Sequence, residues 1–282
     1  MPTYRFHGLN WFPRLPSLAA SIWVRHGLKA FDCYIKDHGK PDIIHAHSIL
    51  NAGVLAKKIK ESYGIPFVVT EHSTAYARGL IPSARLRLAK EVTLSASKLF
   101  AVSHEFCRLL TAKFGRETEW NFLPNIVNQM FLSATRSPKE GLFRFVNVAL
   151  ADKQKHQSNI VAAFAMEFKD NSDVRLTIVG DGPELESLRK LVKDLGLENR
   201  IRMPGMFTRT QVLDEIASSN AFVLSSQYET FGVVIVEALA VGLPVIATRC
   251  GGPESIVQAE DGVLVPVGDV HALASAMRHV FD

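Results

Sequence analysis

The 282 residues are 47% hydrophobic and carry 32 Lys+Arg against 28 Asp+Glu. That excludes a disordered chain, and the length makes two domains the first expectation. Three cysteines, Cys33, Cys107 and Cys250, match no metal-ligand spacing and form no disulfide framework, which argues for a reducing cytoplasm. The apolar stretch Leu15 to Val24 is too short to span a bilayer and lacks a signal-peptide layout.

Strand-length apolar runs alternate with helix-length periodic segments. Asp42 to Ala46 reads as a strand, Ala52 to Tyr63 as a helix, Phe67 to Thr70 as a strand, Leu86 to Ser97 as a helix and Leu99 to Ser103 as a strand. This alternation predicts parallel sheets covered by helices. Asn125 to Gly141 is aperiodic and holds Ser133, Ser137, Pro138 and Gly141, which reads as an interdomain connection, giving domains over 1–135 and 141–282. Beyond it the strands expected are Arg144 to Ala149, Arg175 to Val179, Arg200 to Met203, Ala221 to Ser225, Pro244 to Thr248 and Val263 to Val265. Helices are expected over Asn159 to Lys169, Pro183 to Leu195, Thr210 to Ala217 and Gly232 to Val241, with a last one from Val270. Two doubly wound domains facing a cleft are the predicted architecture, with ligands at the carboxyl ends of the strands.

Charge is unevenly placed. Residues 1–140 hold 19 Lys+Arg against 10 Asp+Glu, and residues 141–282 hold 13 against 18. A basic half suits an anionic substrate or an anionic lipid surface, and equally a plain solvated face.

Ser225 to Pro244 is the most informative stretch. A strand ends at Ser226, a loop carries Glu229, and an almost wholly apolar helix runs from Gly232 to Gly242. Amides at that helix start suit an anion such as a diphosphate. Glu237 lies about 7–8 Å further along at about 1.5 Å per residue, a phosphate-to-ribose separation. Buried in such a helix, Glu237 requires a partner or a shifted pKa. A purely structural Glu237–Arg or Glu237–Lys pair accounts for the same residue, with Glu229 simply exposed on its loop.

Glu229 to Glu237 resembles the E-x7-E motif of the family 4 glycosyltransferases. The neighbouring Gly242-Leu243-Pro244-Val245, Gly251-Gly252-Pro253-Glu254, Gly180-Asp181-Gly182-Pro183, Met203-Pro204-Gly205 and Asp261-Gly262-Val263 stretches follow in family order. In the first half, Asp42-Ile43-Ile44-His45-Ala46-His47, Thr70-Glu71-His72-Ser73 and Pro124-Asn125 do so too. The resemblance implies an α/β chain of two Rossmann-like, doubly wound domains (GT-B) and a retaining transfer of a sugar from a nucleotide diphosphate donor. It places Glu229 and His72 at the donor sugar, Lys155 at the diphosphate and Glu237 at the ribose. Phe231 and Gly232 offer backbone amides, and Thr230, Lys153, Gly205 and Met206 complete the donor side.

It also implies no metal and no cofactor, a glycan or lipid-linked acceptor, and no nucleic acid. A peripheral place at the inner membrane face is expected, with Arg78, Arg85, Arg87 and Lys90 meeting anionic lipid. Leu150 stands where the family carries an arginine. The N-terminal domain is expected to be incomplete, because the residues before Asp42 hold Trp11 and Pro13 rather than a glycine-rich opening. A non-catalytic remnant that binds nucleotide or a partner is the alternative.

Other signals are set aside. Gly180-Asp181-Gly182 resembles a dinucleotide fingerprint, but Leu185 occupies the third glycine position. His45 and His47 share a strand face with no third metal ligand nearby in sequence, and no Asp-x-Asp pair occurs.

Overall fold

The computed structural model describes residues 3–5, 16–138 and 140–282. Trp11 and Pro13 lie outside the described residues. The chain divides into two compact units, Met1–Pro124 and Asn125–Asp282. No helix among the described residues is long and apolar enough to cross a membrane.

In the first unit, α1 (Pro16–His38) precedes β1 (Ile44–His47), α2 (Val54–Tyr63), β2 (Phe67–Glu71) and α3 (Ser83–Ser95). There follow β3 (Lys98–Ala101), α4 (His104–Phe114) and β4 (Trp120–Phe122). The four strands form one parallel sheet in the order β1-β2-β3-β4. Phe67, Val69, Ala101 and, from the helices, Ala89, Val92 and Leu110 are wholly excluded from water, as expected for a sheet covered by helices. Helix ends follow local chemistry. Ser103 caps α4 by accepting from the Phe106 amide, and Gly64 ends α2 at φ 69°. The helix α4 and the strand β4 were not expected, because only the short 115–119 connection separates them and it hides the change of period.

The second unit runs α5 (Gln129–Leu132), β5 (Phe143–Val148), α6 (Gln157–Phe168), β6 (Val174–Val179), α7 (Leu185–Asp194) and β7 (Ile201–Gly205). It continues through α8 (Arg209–Ala217), β8 (Ala221–Leu224), α9 (Val233–Ala240), β9 (Val245–Thr248), β10 (Gly262–Val265) and α10 (Val270–Phe281). All six strands are parallel in the order β10-β9-β8-β5-β6-β7. One face buries Phe145, Phe164, Phe168, Leu176 and Met277, and the other buries Phe131, Phe222, Ile235, Ala238 and Leu243. The boundary differs from the expected one. Residues 125–135 belong to the second unit because Phe131, 0% exposed, packs into its core beside α9. Polarity and glycine content mark the stretch as an interdomain connection, but the one buried aromatic ties its first part to the second unit.

Strand order reverses between β5 and β8, so the loops that leave their carboxyl ends diverge to opposite faces of the sheet. This is where an open parallel sheet binds ligands.

Candidate donor site at the switch point of the second unit

The loop after β5 holds a short turn, Lys153–Lys155, capped by Asp152, whose carboxylate accepts from the Gln154 amide at 2.8 Å. The loop after β8 is tied to it. Gln227 N–H donates to Gln154 O at 2.7 Å, and Ser225 Oγ donates to the carbonyls of Lys155 and His156 at 2.8 Å each. Beneath both, buried Asn147 donates to Val223 O and accepts from Gln157, each at 2.8 Å. Those hydrogen bonds tie β5, β8 and α6 together and satisfy the buried Asn147 amide.

This scaffold brings Lys155 and Glu229 together, with Nζ–Oε1 at 2.5 Å. Ser226 Oγ donates to the same carboxylate oxygen at 3.0 Å. Glu229 is also fixed through its backbone: its N–H donates to Cys250 O at 3.1 Å and its carbonyl accepts from Gly252 N–H at 2.7 Å. Gly251, at φ 117°, lies so close that a Cβ there would meet Glu229 O at 2.7 Å. Only glycine permits that approach. Gly232, at φ 99°, then turns the chain into α9 with no side-chain cap. The first amides of α9 therefore follow directly on the loop that carries the Lys155–Glu229 ion pair, a dipolar setting for an anion. Phe231 is buried and Thr230 half-buried in that turn.

Glu237 sits in the middle of α9 with no exposure to water. One carboxylate oxygen pairs with Arg209 at the start of α8, and the other, Oε2, has no partner among the described residues. Burial pushes its pKa above the ordinary carboxylate value, and Arg209 opposes this through charge and hydrogen bond. Arg209 rests over the Phe131 ring, 4.9 Å from its centroid, and its side chain stays half exposed. The expected partner of Glu237 thus exists, while half of the carboxylate is still unbonded.

The remaining expected residues are placed as follows. Gly205 ends β7 at φ 84°, its carbonyl accepting from Gly180 N–H at 2.9 Å, and Met206 beyond it is 65% exposed. Lys153 lines a different groove, of about 410 Å³, with His156, Gln157, Glu184 and Leu188, and neither Lys155 nor Glu229 lines it. Leu150 is exposed at the position where an arginine was sought.

His72 belongs to the first unit. Its backbone N–H, with those of Ser73 and Ile49, donates to buried Glu71 at 2.8 Å each. Its Nε2 is 3.0 Å from His47 Nδ1. Of the basic residues considered for a lipid surface, Lys90 pairs with Glu117 at 2.8 Å and Arg85 donates to Asn51, while Arg78, Arg85 and Arg87 are exposed. Sequence reasoning missed Arg209, Ser226 and Glu71. The Thr208–Gln211 capping box places Arg209 at a helix start, and Glu71 ends a run of apolar residues, where a carboxylate must find donors.

Residues 132–282, more than half of the chain, match the family described as "Glycosyl transferases group 1", and residues 3–129 match "Glycosyltransferase Family 4". The N-acetyl-alpha-D-glucosaminyl L-malate synthase of Bacillus anthracis is 32% identical over 247 residues, 83% of this chain and 63% of that protein. The chain spans under two thirds of the length of that relative. The solved sucrose-phosphate synthase of Thermosynechococcus elongatus superposes with a TM-score of 0.78 at 23% identity, over 93% of this chain and 69% of that one. Anabaena HepE, solved in complex with UDP, gives 0.77 at 22% identity, over 93% and 72%. Those two likenesses show the GT-B fold. With both halves matched by family and fold, the chain belongs to the group 1, family 4 glycosyltransferases.

Proposed function

We propose that this chain carries out a retaining transfer of a sugar from a nucleotide diphosphate donor, without a metal ion, to a glycan or lipid-linked acceptor in surface polysaccharide or glycolipid synthesis. The observation that carries the reading is the meeting of Lys155, Glu229 and the α9 N-terminus at the switch point, with half-unbonded Glu237 about one turn into α9. The diphosphate takes the α9 amides and Lys155, and Glu237, through its unbonded Oε2, accepts from the vicinal ribose hydroxyls. As the anomeric carbon–oxygen bond to the diphosphate breaks, the electron pair leaves with the phosphate, and the amides and Lys155 stabilise its growing charge. The acceptor hydroxyl then bonds to the same face of that carbon and passes its proton to the departing phosphate oxygen. Glu229 orients Lys155 and the sugar, and His72 is read, from the family resemblance, as a residue that acts on the donor sugar. The exposed arginines at 78, 85 and 87 support contact with an anionic membrane at its cytoplasmic face.

The test is a thermal-shift panel of UDP-, GDP- and ADP-sugars with and without EDTA, followed by transfer to a lipid extract. Stabilisation by one base series that survives EDTA, with sugar incorporated at the donor's anomeric configuration, is expected. Binding lost in EDTA, or product of inverted configuration, would overturn the reading.

A further inference from the structure

His45 and His47 sit two residues apart on β1, so both rings rise on one face of the sheet, and they stack with centroids 4.3 Å apart. His45 Nε2 is anchored on Thr70 Oγ1 of β2 at 2.7 Å. On the other side of His47 lies His72, its ring nearly parallel at 25° with centroids 5.2 Å apart and Nδ1···Nε2 at 3.0 Å. The His72 backbone cannot drift, because Glu71 holds its N–H and those of Ser73 and Ile49.

A 3.0 Å contact between two imidazole nitrogens holds one proton and one lone pair. If His47 Nδ1 carries the proton, His72 Nε2 accepts and its own proton is on Nδ1. If His72 Nε2 carries it, the lone pair is on His47 Nδ1. The tautomer of one ring therefore dictates that of the other, and two imidazolium rings cannot coexist there because two N–H groups would collide. We propose that His47 is a positioning residue which fixes the ring orientation, tautomer and neutral charge of His72, and that His45, anchored on Thr70, braces His47 for this purpose. Partial burial, then the neighbouring His47 and His45, holds His72 below the usual histidine range, and burial followed by His47 does the same for His45. A neutral ring with an assigned proton is a directional hydrogen-bonding group for a sugar hydroxyl, not a floating cation. The proposal rests on the reading that His72 meets the donor sugar.

The experiment uses the full chain labelled with 15N-histidine. Long-range 1H–15N spectra report the tautomer and titration of His72 in the wild type, His47→Leu and His47→Asn. Because His47 is exposed, both variants are expected to fold, which the other histidine signals verify. In the wild type, His72 and His47 should show matching tautomers, both protonated on Nδ1 or both on Nε2. His47→Leu should change the His72 tautomer ratio and move its midpoint up toward the ordinary 6.5, whereas the His47→Asn amide still offers a hydrogen-bonding partner and should change the spectrum less. Turnover of the sugar nucleotide should fall roughly 10-fold in kcat for His47→Leu with KM nearly unchanged, and largely recover in His47→Asn. A His72 spectrum indifferent to His47→Leu would overturn the proposal. If the spectrum responds but neither His47→Leu nor His72→Leu changes turnover, the coupling stands and the placement of His72 at the sugar falls.

Discussion

Replacing Glu237 by glutamine separates the two meanings of a buried carboxylate. In the unliganded protein its charge has one partner, Arg209, whose side chain is 50% exposed and can return to water. Removing the charge abolishes a desolvation penalty and strands little, so stability should stay within about 1 kcal/mol of the wild type, a shift of about 2–4 °C in a unit of this size. Nucleotide binding should suffer far more. A hydrogen bond to a charged acceptor contributes roughly 1.5–3 kcal/mol against 0.5–1.5 for a neutral one, so contacts to vicinal hydroxyls should weaken by about 1–3 kcal/mol in all. At about 1.4 kcal/mol per decade, Kd rises about 5- to 150-fold. Titration calorimetry with the best-binding nucleoside diphosphate reads this directly, beside a melting curve. Arg209→Ala is the counterpart: it leaves the buried carboxylate with no partner, and a loss of about 3–5 kcal/mol is expected unless the carboxyl takes up a proton. Unchanged affinity in Glu237→Gln together with a large drop in melting temperature would refute the ribose assignment and leave a structural ion pair.

Lys155→Ala should weaken a nucleoside diphosphate more than the free nucleoside, and equal losses would remove Lys155 from the phosphate site. Gly251→Ala must push a Cβ to 2.7 Å from Glu229 O at φ 117°. It should cost about 1–3 kcal/mol in chemical denaturation and weaken the diphosphate as well; a variant as stable as the wild type would show that the loop yields. The pH dependence has a defined sign. Folding raises the Glu237 pKa above 4.5, so at higher pH the folded state keeps a proton that the unfolded chain has lost. Stability therefore falls as pH rises from that value through the folded one. Relative to Glu237→Gln, the wild type should lose stability over this window, and parallel curves for the two proteins would contradict the raised pKa.

The sheets and most helices could be read from the chain because alternating buried strands and amphipathic helices leave periodic traces that survive without tertiary information. Glu237 was legible for the same reason, as a charge in an apolar helix. Arg209 was not, because the pairing joins the start of α8 to the middle of α9 and sequence spacing carries no sign of it. The same holds for Glu71, whose three backbone donors come from two separate loops. Lys153 and Lys155 look equivalent as neighbouring cations, yet the short turn between them sends one toward the α7 groove and the other to Glu229. The unit boundary was misplaced because composition registers polarity and glycine content and is blind to a single anchoring phenylalanine.

Phe131 also decides where this chain can be divided. A fragment beginning at Gly141, where composition suggests a cut, would leave a hole the size of a phenylalanine ring beside Ile235, Ala238 and Leu243, and would forfeit about 1.5–3 kcal/mol of burial. It would also remove the ring beneath Arg209, loosening the arginine that Glu237 relies upon. An excised second unit has to start at Asn125 if it is to keep Arg209 and Glu237 in order, so residues 125–135 belong with it. Any exchange of first halves between related chains would keep that site intact only if the crossover fell before Asn125.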